Sequence, residues 1–372
     1  MNIAEITTYK EGGVYTHVIE LIKKATKEHN FIVITGNTKR NGFQKEDNIL
    51  YFHIPCIFST LMIYFINPMG SYKRIRDLMI NHNIDVVHFH NPLFTFLNTL
   101  IKKREWPLVM TAHYVLDLKG NRIISKIYKG IIKLVTQYIG KKIDRIICVN
   151  KDYIQIFQKW GVDPKKLVFI PNGIDTSRFT PGKSVFSEAF KDEKVIIFFG
   201  RLHYQKNVDL LIKGFQQISY NRVKLLIIGD GPDANRLHKL SRNDENIIFT
   251  GRVSDEELVE YLRVAYMMVL PSRGETASLT LMEAMACGLP VIASDVGNNR
   301  SILDNGRGLL LEKYTPEDIA QKCEYLLIDE AVANQISRKG QRFIKEHYSL
   351  NQTVTKTLEL YKELKQLEQR KT

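Results

Sequence analysis

Short apolar stretches alternate with helical stretches along this chain, and the pattern starts twice. In the first half, residues 3–7, 31–35, 86–90, 108–112, 145–149 and 167–170 read as strands. Helical spacing falls between them, over residues 14–28 and 71–81 among others. Residues 171–183 (PNGIDTSRFTPGK) are rich in Pro, Gly and Asp and carry no periodicity, which marks a linker. The alternation then resumes, with strands at residues 195–199, 224–228, 247–250, 267–270 and 291–293. Helices are predicted over residues 208–218, 255–264 behind the N-cap Ser254, and 281–287. Such alternation argues parallel sheets covered by helices on both faces. The expected fold class is α/β, with two tandem doubly wound Rossmann-like domains and a ligand cleft at the strands' carboxyl ends.

At 372 residues the chain is long for one core and comfortable for two. No apolar run approaches the ~20 residues that span a bilayer. The longest, residues 54–66, is broken by Cys56, Ser59, Thr60 and Tyr64. The start MNIAEITTYKEGG lacks a basic segment followed by an apolar one, so no signal peptide is expected. Cys56, Cys148, Cys287 and Cys323 are scattered without metal-ligand spacing and read as reduced thiols of a cytoplasmic protein. The net charge of +13 is unevenly placed. Residues 1–185 hold 27 Lys and Arg against 14 Asp and Glu, and residues 186–372 hold 26 of each. The whole excess lies in the first half, where an anionic membrane surface would be attracted.

The most informative stretch is residues 271–303, PSRGETASLTLMEAMACGLPVIASDVGNNRSIL. A strand ends at Pro271, a polar loop carries Glu275 and Ser278, and a helix carrying Glu283 follows. A helix N-terminus beside a strand's carboxyl end can hold phosphate, because its first N–H groups are unpaired and its dipole end is positive. The two glutamates can accept hydrogen bonds from sugar hydroxyls, although solvated helix ends also carry such acids. Upstream, Gly200-Arg201-Leu202 with Lys206-Asn207 follows a strand. Arg201 offers a planar bidentate donor and Lys206 a point charge, a set suited to a diphosphate.

These motifs resemble the donor site of retaining glycosyltransferases of the GT-B fold, in the large group 1 or family 4 type that uses nucleotide-sugars. The resemblance covers nearly the whole chain and is most specific over residues 195–303. It implies an acceptor-binding domain, residues 1–180, and a donor-binding domain, residues 186–348, with a last helix (residues 349–372) packing back on the first. It implies that Arg201 and Lys206 bind the donor pyrophosphate and stabilise the leaving group. Glu275 and His113 would contact the transferred sugar, and Glu283 the ribose hydroxyls. Ser278, Leu279 and Thr280 would lie beside the donor at the helix start, and the Val253 backbone would meet the base. The Gly12-Gly13 loop would face the donor phosphates, with Glu11 standing where relatives often carry proline. His90, in the strand end VVHFHNP, would line the acceptor side or serve the framework. Ala277 and Ser278 replace an aromatic residue and glycine common after this glutamate, which leaves the sugar open. No cofactor and no metal are expected, the nucleotide-sugar being a co-substrate, with a UDP-sugar favoured over GDP-mannose.

Residues 121–142 have apolar residues at helical spacing, with Lys126, Lys129, Lys133, Lys141 and Lys142 beside them. Such a helix can lie in a bilayer interface or pack on its own sheet. Tyr72, Lys73, Arg74 and Arg76, and Lys102, Lys103 and Arg104 before Trp106, add to the basic surface. The expectation is therefore a peripheral enzyme on the inner face of the plasma membrane, acting on a lipid-linked or cell-surface glycan acceptor. Nucleic acid is not an expected partner, because no aromatic stacking platform is interleaved with the basic residues. The alternatives are a nucleotide-sugar epimerase on the same fold and a non-catalytic sugar-nucleotide binder.

Overall fold

The computed structural model describes residues 1–7, 13–26, 28–37, 42–46, 49–58, 63–65, 68–90, 105–113, 122–241 and 244–370. The chain divides into two compact units. The first takes residues 1–114, 126–173 and 350–372, and the second mainly residues 174–349.

In the first unit the elements run β1 (Asn2–Thr7), α1 (Gly13–Ala25), β2 (Asn30–Asn37), β3 (Gly42–Glu46), β4 (Ile49–Phe58), β5 (Ile63–Phe65) and α2 (Pro68–Asn81). They continue as β6 (Val86–Phe89), β7 (Leu108–Ala112), α3 (Arg122–Gly140), β8 (Arg145–Cys148), α4 (Asp152–Lys159) and β9 (Leu167–Phe169). Among the described residues the sheet order is β3-β4-β2-β1-β6-β7-β8-β9, with β5 pairing β4. β3 and β5 run antiparallel to β4, and the remaining pairs are parallel. The antiparallel edge strands β3 and β5 were not expected from the sequence. The chain winds outward from β1 through β2 and then returns to β6 on the other side, so the strand order reverses between β1 and β6. Loops diverge at such a reversal, and a crevice opens at the carboxyl ends.

The second unit repeats the design with β10 (Lys194–Phe199), α5 (Val208–Phe215), β11 (Val223–Ile228), α6 (Ala234–Leu240), β12 (Ile247–Gly251), α7 (Asp255–Val264) and β13 (Met267–Leu270). Then come α8 (Leu279–Ala286), β14 (Val291–Ser294), α9 (Asn299–Leu303), β15 (Leu309–Leu311), α10 (Pro316–Ile328) and α11 (Glu330–His347). Its sheet is parallel throughout, in the order β12-β11-β10-β13-β14-β15. The reversal here lies between β10 and β13. The central strands, such as VIIFF, LLII and MMVL, are buried on both faces, as a sheet covered by two helical layers requires. Residues 174–183, read from sequence as a linker, pack on this unit: Phe179 is in its core and Ile174 bridges to Ser349.

The last helix, α12 (Leu350–Gln369), belongs to the first unit. Leu350, Val354, Leu360, Tyr361 and Leu364 join Ile3, Val18, Leu21 and Ile22 in one core. Among the described residues no helix is long and apolar enough to cross a membrane. α3 is amphipathic twice over. Ile132, Thr136 and Ile139 are buried, whereas Ile127, Ile131, Leu134 and Tyr138 form a separate exposed stripe. Lys126, Lys133 and Lys141 are exposed beside that stripe.

Tyr361 carries a buried polar link between α12 and the sheet. Its hydroxyl donates to Glu5 Oε1 at 2.8 Å and lies 2.5 Å from His88 Nδ1, all three groups being buried. Tyr361→Phe keeps the ring but leaves a buried carboxylate oxygen without that donor. We expect a loss of about 2–3 kcal/mol in urea unfolding with an unchanged m-value. A loss below ~0.5 kcal/mol would show that the hydroxyl contributes nothing to holding the helix down.

Candidate active site

In the second unit the loops that follow β10 and β13, on the two sides of the reversal, are joined to each other. Gly200 and Arg201 follow β10, and a short 3-10 turn, Tyr204–Lys206, leads into α5. Asn207, at the turn's end, adopts a left-handed conformation with φ of 56°. It donates through Nδ2 to the Pro271 carbonyl at 3.2 Å and accepts from Arg273 at 2.5 Å. The loop after β13 thereby lies against the loop after β10. Gln205 Nε2 donates to the Gly274 carbonyl and Arg273 N donates to the Gln205 carbonyl, each at 2.7 Å.

This stitching places Lys206 Nζ 2.7 Å from Glu275 Oε1, and Ser272 Oγ donates to the same oxygen at 2.7 Å. Glu275 is buried and Lys206 is partly exposed. Arg201 is exposed and makes no side-chain hydrogen bond or ion pair among the described residues. Gly297, after β14, comes so close that a Cβ there would lie 2.4 Å from the Glu275 carbonyl oxygen. Only glycine lets the two loops meet at that point, and its φ of +58° favours it too.

Ser278 caps α8, its side chain accepting from Leu281 N at 3.4 Å and lying 3.1 Å from Thr280 Oγ1. The helix therefore starts at Leu279, two residues before the sequence-based start, because the cap rather than the apolar run sets its beginning. Glu283 lies one turn inside α8 and is partly buried. Val253 follows β12 and packs on the core.

The first unit brings together a second group, at and beside its own reversal. Glu5 is buried within β1, His88 lies in β6, His90 directly follows it, and His113 follows β7. Glu5 Oε2 lies 2.7 Å from His90 Nε2 and 3.2 Å from His88 Nδ1. His88 Nε2 lies 2.7 Å from Thr111 Oγ1, and His90 Nδ1 lies 3.3 Å from His113 Nε2. His17 of α1 meets the His113 ring edge-on, with centroids 6.1 Å apart. Ligand atoms of Glu5, His88 and His90 lie within 4.8 Å of one another, but each is already engaged by the hydrogen bonds just given. Burial pushes the Glu5 carboxyl up, yet His88 and His90 outweigh it by attraction and hydrogen bonding and hold it well below the usual carboxylate range. Burial, reinforced by His90 and His88, takes His17 down to about 3. Burial and His88 take His90 to about 4 despite Glu5. Burial, with His90, His17 and His88, puts His113 well below its ordinary value.

Sequence reasoning thus named Arg201, Lys206, Glu275, Ser278, Leu279, Thr280, Glu283 and Val253 in the second unit, and the fold brings Lys206 and Glu275 into direct contact. In the first unit Gly13 opens α1, whereas Glu11 and Gly12 lie outside the described residues, as do Lys102, Lys103 and Arg104. Glu5, Ser272 and Tyr361 were missed. A lone carboxylate in the otherwise apolar strand NIAEIT was the available signal for Glu5.

Residues 183–343 match the family model described as glycosyl transferases group 1, and residues 11–178 match that of glycosyltransferase family 4. Together the two matches span most of the chain, which belongs to the group 1 glycosyltransferases. An uncharacterized glycosyltransferase of Methanocaldococcus jannaschii is 28% identical over 95% of both chains. The phosphatidylinositol N-acetylglucosaminyltransferase GPI3 subunit of Saccharomyces cerevisiae is 26% identical over 83% of this chain and 71% of its own. Among solved structures, sucrose-phosphate synthase from Thermosynechococcus elongatus aligns with a TM-score of 0.82 at 19% identity, over 98% of both chains. Anabaena HepE, solved with UDP and glucose, aligns with a TM-score of 0.78 at 16% identity, over 97% of this chain and 99% of its own. The fold is GT-B.

His17, His90 and His113 give stability a definite pH dependence. They titrate near 6.5 when unfolded, so below that the unfolded chain takes up protons the folded chain resists. Stability from these groups is complete above pH 6.5 and is lost as pH falls toward the folded values of about 4 for His90 and about 3 for His17. Glu5 acts with the same sign below its unfolded value of 4.5. Each group removes at most ~1.4 kcal/mol per pH unit within its window. The melting temperature should begin to fall just below pH 6.5, and a flat profile down to about pH 5 would contradict this assignment.

Proposed function

We propose that this chain is a retaining, metal-independent hexosyltransferase. It moves a hexose or N-acetylhexosamine from a nucleoside diphosphate sugar, a UDP-sugar before GDP-mannose, to a lipid-linked or cell-surface glycan acceptor. The observation that carries the reading is the Lys206–Glu275 pair beside Arg201, which has no partner among the described residues, where β10 and β13 diverge. Arg201 and Lys206 take the charge that grows on the departing diphosphate, the role a metal fills elsewhere. Glu275, steadied by Ser272, orients the transferred sugar, and His113 is a further sugar contact. Backbone N–H groups at Gly13 and at Ser278, Leu279 and Thr280 meet the phosphates. Glu283 takes the ribose hydroxyls, and the Val253 backbone meets the base. The acceptor hydroxyl attacks from the face the diphosphate leaves.

The names of relatives and neighbours support the donor and acceptor classes. HepE was solved with UDP and glucose, and the Saccharomyces relative is named for phosphatidylinositol. The exposed stripe Ile127, Ile131, Leu134 and Tyr138, flanked by lysines on a helix without a single acid, supports peripheral contact with an anionic membrane from the cytoplasmic side.

Two measurements test this. Transfer or donor hydrolysis should proceed in EDTA, and Lys206→Ala should lower kcat by about 10²–10³. Activity within ~3-fold of the parent would remove Lys206 from the leaving-group role. Separately, the protein should pellet with phosphatidylserine vesicles at low salt. Leu134→Glu, at an exposed position, should abolish that without altering unfolding, and equal pelleting of parent and variant would exclude α3 as the contact.

A further inference from the structure

Glu5, His90 and His113 form a hydrogen-bonded series inside the first unit, drawn from β1 and the ends of β6 and β7. The direction of its hydrogen bonds follows from donor and acceptor chemistry. An ionised carboxylate only accepts, so His90 Nε2, 2.7 Å from Glu5 Oε2, carries the proton. The neutral His90 ring then has its lone pair on Nδ1. The group facing that lone pair is His113 Nε2, at 3.3 Å, which must therefore be N–H. In a neutral imidazole this leaves Nδ1 of His113 unprotonated. Around the series, His88 bonds Tyr361 and Thr111, and His17 lies edge-on to His113. The His90 and His113 rings are nearly stacked, with centroids 5.6 Å apart and planes 28° apart.

We propose that Glu5 and His90 are positioning residues that act in series to hold the His113 ring in one orientation and one tautomer, protonated on Nε2. This rests on the reading of His113 as a sugar contact. Any group that contacts Nδ1 then meets a lone pair and must donate to it, so the series fixes the polarity of that side of the ring. A triad carboxylate controls its histidine in the same way, and a wrong tautomer there severely reduces turnover even with geometry intact.

The test reads protons directly. Long-range ¹H–¹⁵N spectra of the full chain labelled in histidine, assigned with single His substitutions, report which ring nitrogen of His113 carries hydrogen. The expected result is Nε2–H at His113 and at His90 throughout about pH 6–8. Nδ1–H at His113, or a doubly protonated His90, overturns the proposal without any variant. Two substitutions then separate orientation from packing. In His90→Asn the amide oxygen can take the place of Nδ1 and keep an acceptor for His113. In His90→Gln the amide nitrogen can keep the link to Glu5, but the acceptor is lost. His113 should stay a single tautomer in the first and become a mixture in the second. In donor turnover His90→Gln should lower kcat about tenfold or more with little change in KM, and His90→Asn should fall between it and the parent. Identical His113 spectra in the two variants would overturn the proposal. The spectra need no substrate. A locked tautomer in a protein without turnover would therefore sink the transferase reading alone, and an unlocked one in an active enzyme would sink the series alone.

Discussion

A parallel sheet covered by helices on both faces has only its edges and strand ends open to a ligand. Both units obey that constraint, and it decides where chemistry can sit. In the second unit the strand order reverses between β10 and β13, so the loops that follow turn to opposite faces. Arg201 and Lys206 come from one loop and Glu275 from the other. Close approach of such loops needs positions without a Cβ. One at Gly229 would lie 2.0 Å from the Gly200 carbonyl oxygen, and one at Gly297 2.4 Å from that of Glu275. The proposed donor site therefore depends as much on backbone clearance as on charged side chains.

The first unit contains the exception, a carboxylate inside a sheet. Stripping Glu5 of water is unfavourable by several kcal/mol unless its lone pairs are met. They are met by Tyr361, His88 and His90, which come from α12 and from the β6 strand and its end. Tyr361 stands 356 residues from Glu5 in sequence. The last helix is thus part of the first unit's polar interior as well as of its apolar core. Closing the N-terminal sheet around a charge requires the chain's other end.

Legibility followed the distance over which each interaction is encoded. The strand–helix alternation is local, and the central strands of both sheets were readable from it. The donor loops were readable because each is a contiguous motif, although the Lys206–Glu275 contact itself depends on Asn207 and Gln205 joining two distant loops. The Glu5 series was not readable as a unit, because His90 lies 85 residues from Glu5 and His113 a further 23. β3 and β5 are short edge strands with no strong alternation. In α3 the sequence shows one broad apolar stripe, but burial splits it. Ile132 and Ile139 face the fold, while Ile127, Ile131 and Leu134 do not. Periodicity gives the width of an apolar face, but it does not say how much of that face the protein itself covers.

The pairing of Lys206 with Glu275 also bears on how the donor loops behave before any ligand arrives. A lysine alone on a buried carboxylate, with a serine hydroxyl on the same oxygen, is a compensated charge in a small volume. Arg201, a few residues away, has no such partner among the described residues and stays in water. In the role proposed for this site, an incoming dianion would meet Arg201 in water and Lys206 already oriented. The ammonium keeps three donors, of which Glu275 Oε1 uses one, so a phosphate oxygen can be added without breaking the pair. Holding Lys206 this way removes much of the rotamer freedom of a long side chain before binding, which is the advantage of a preorganised electrostatic site over a flexible one.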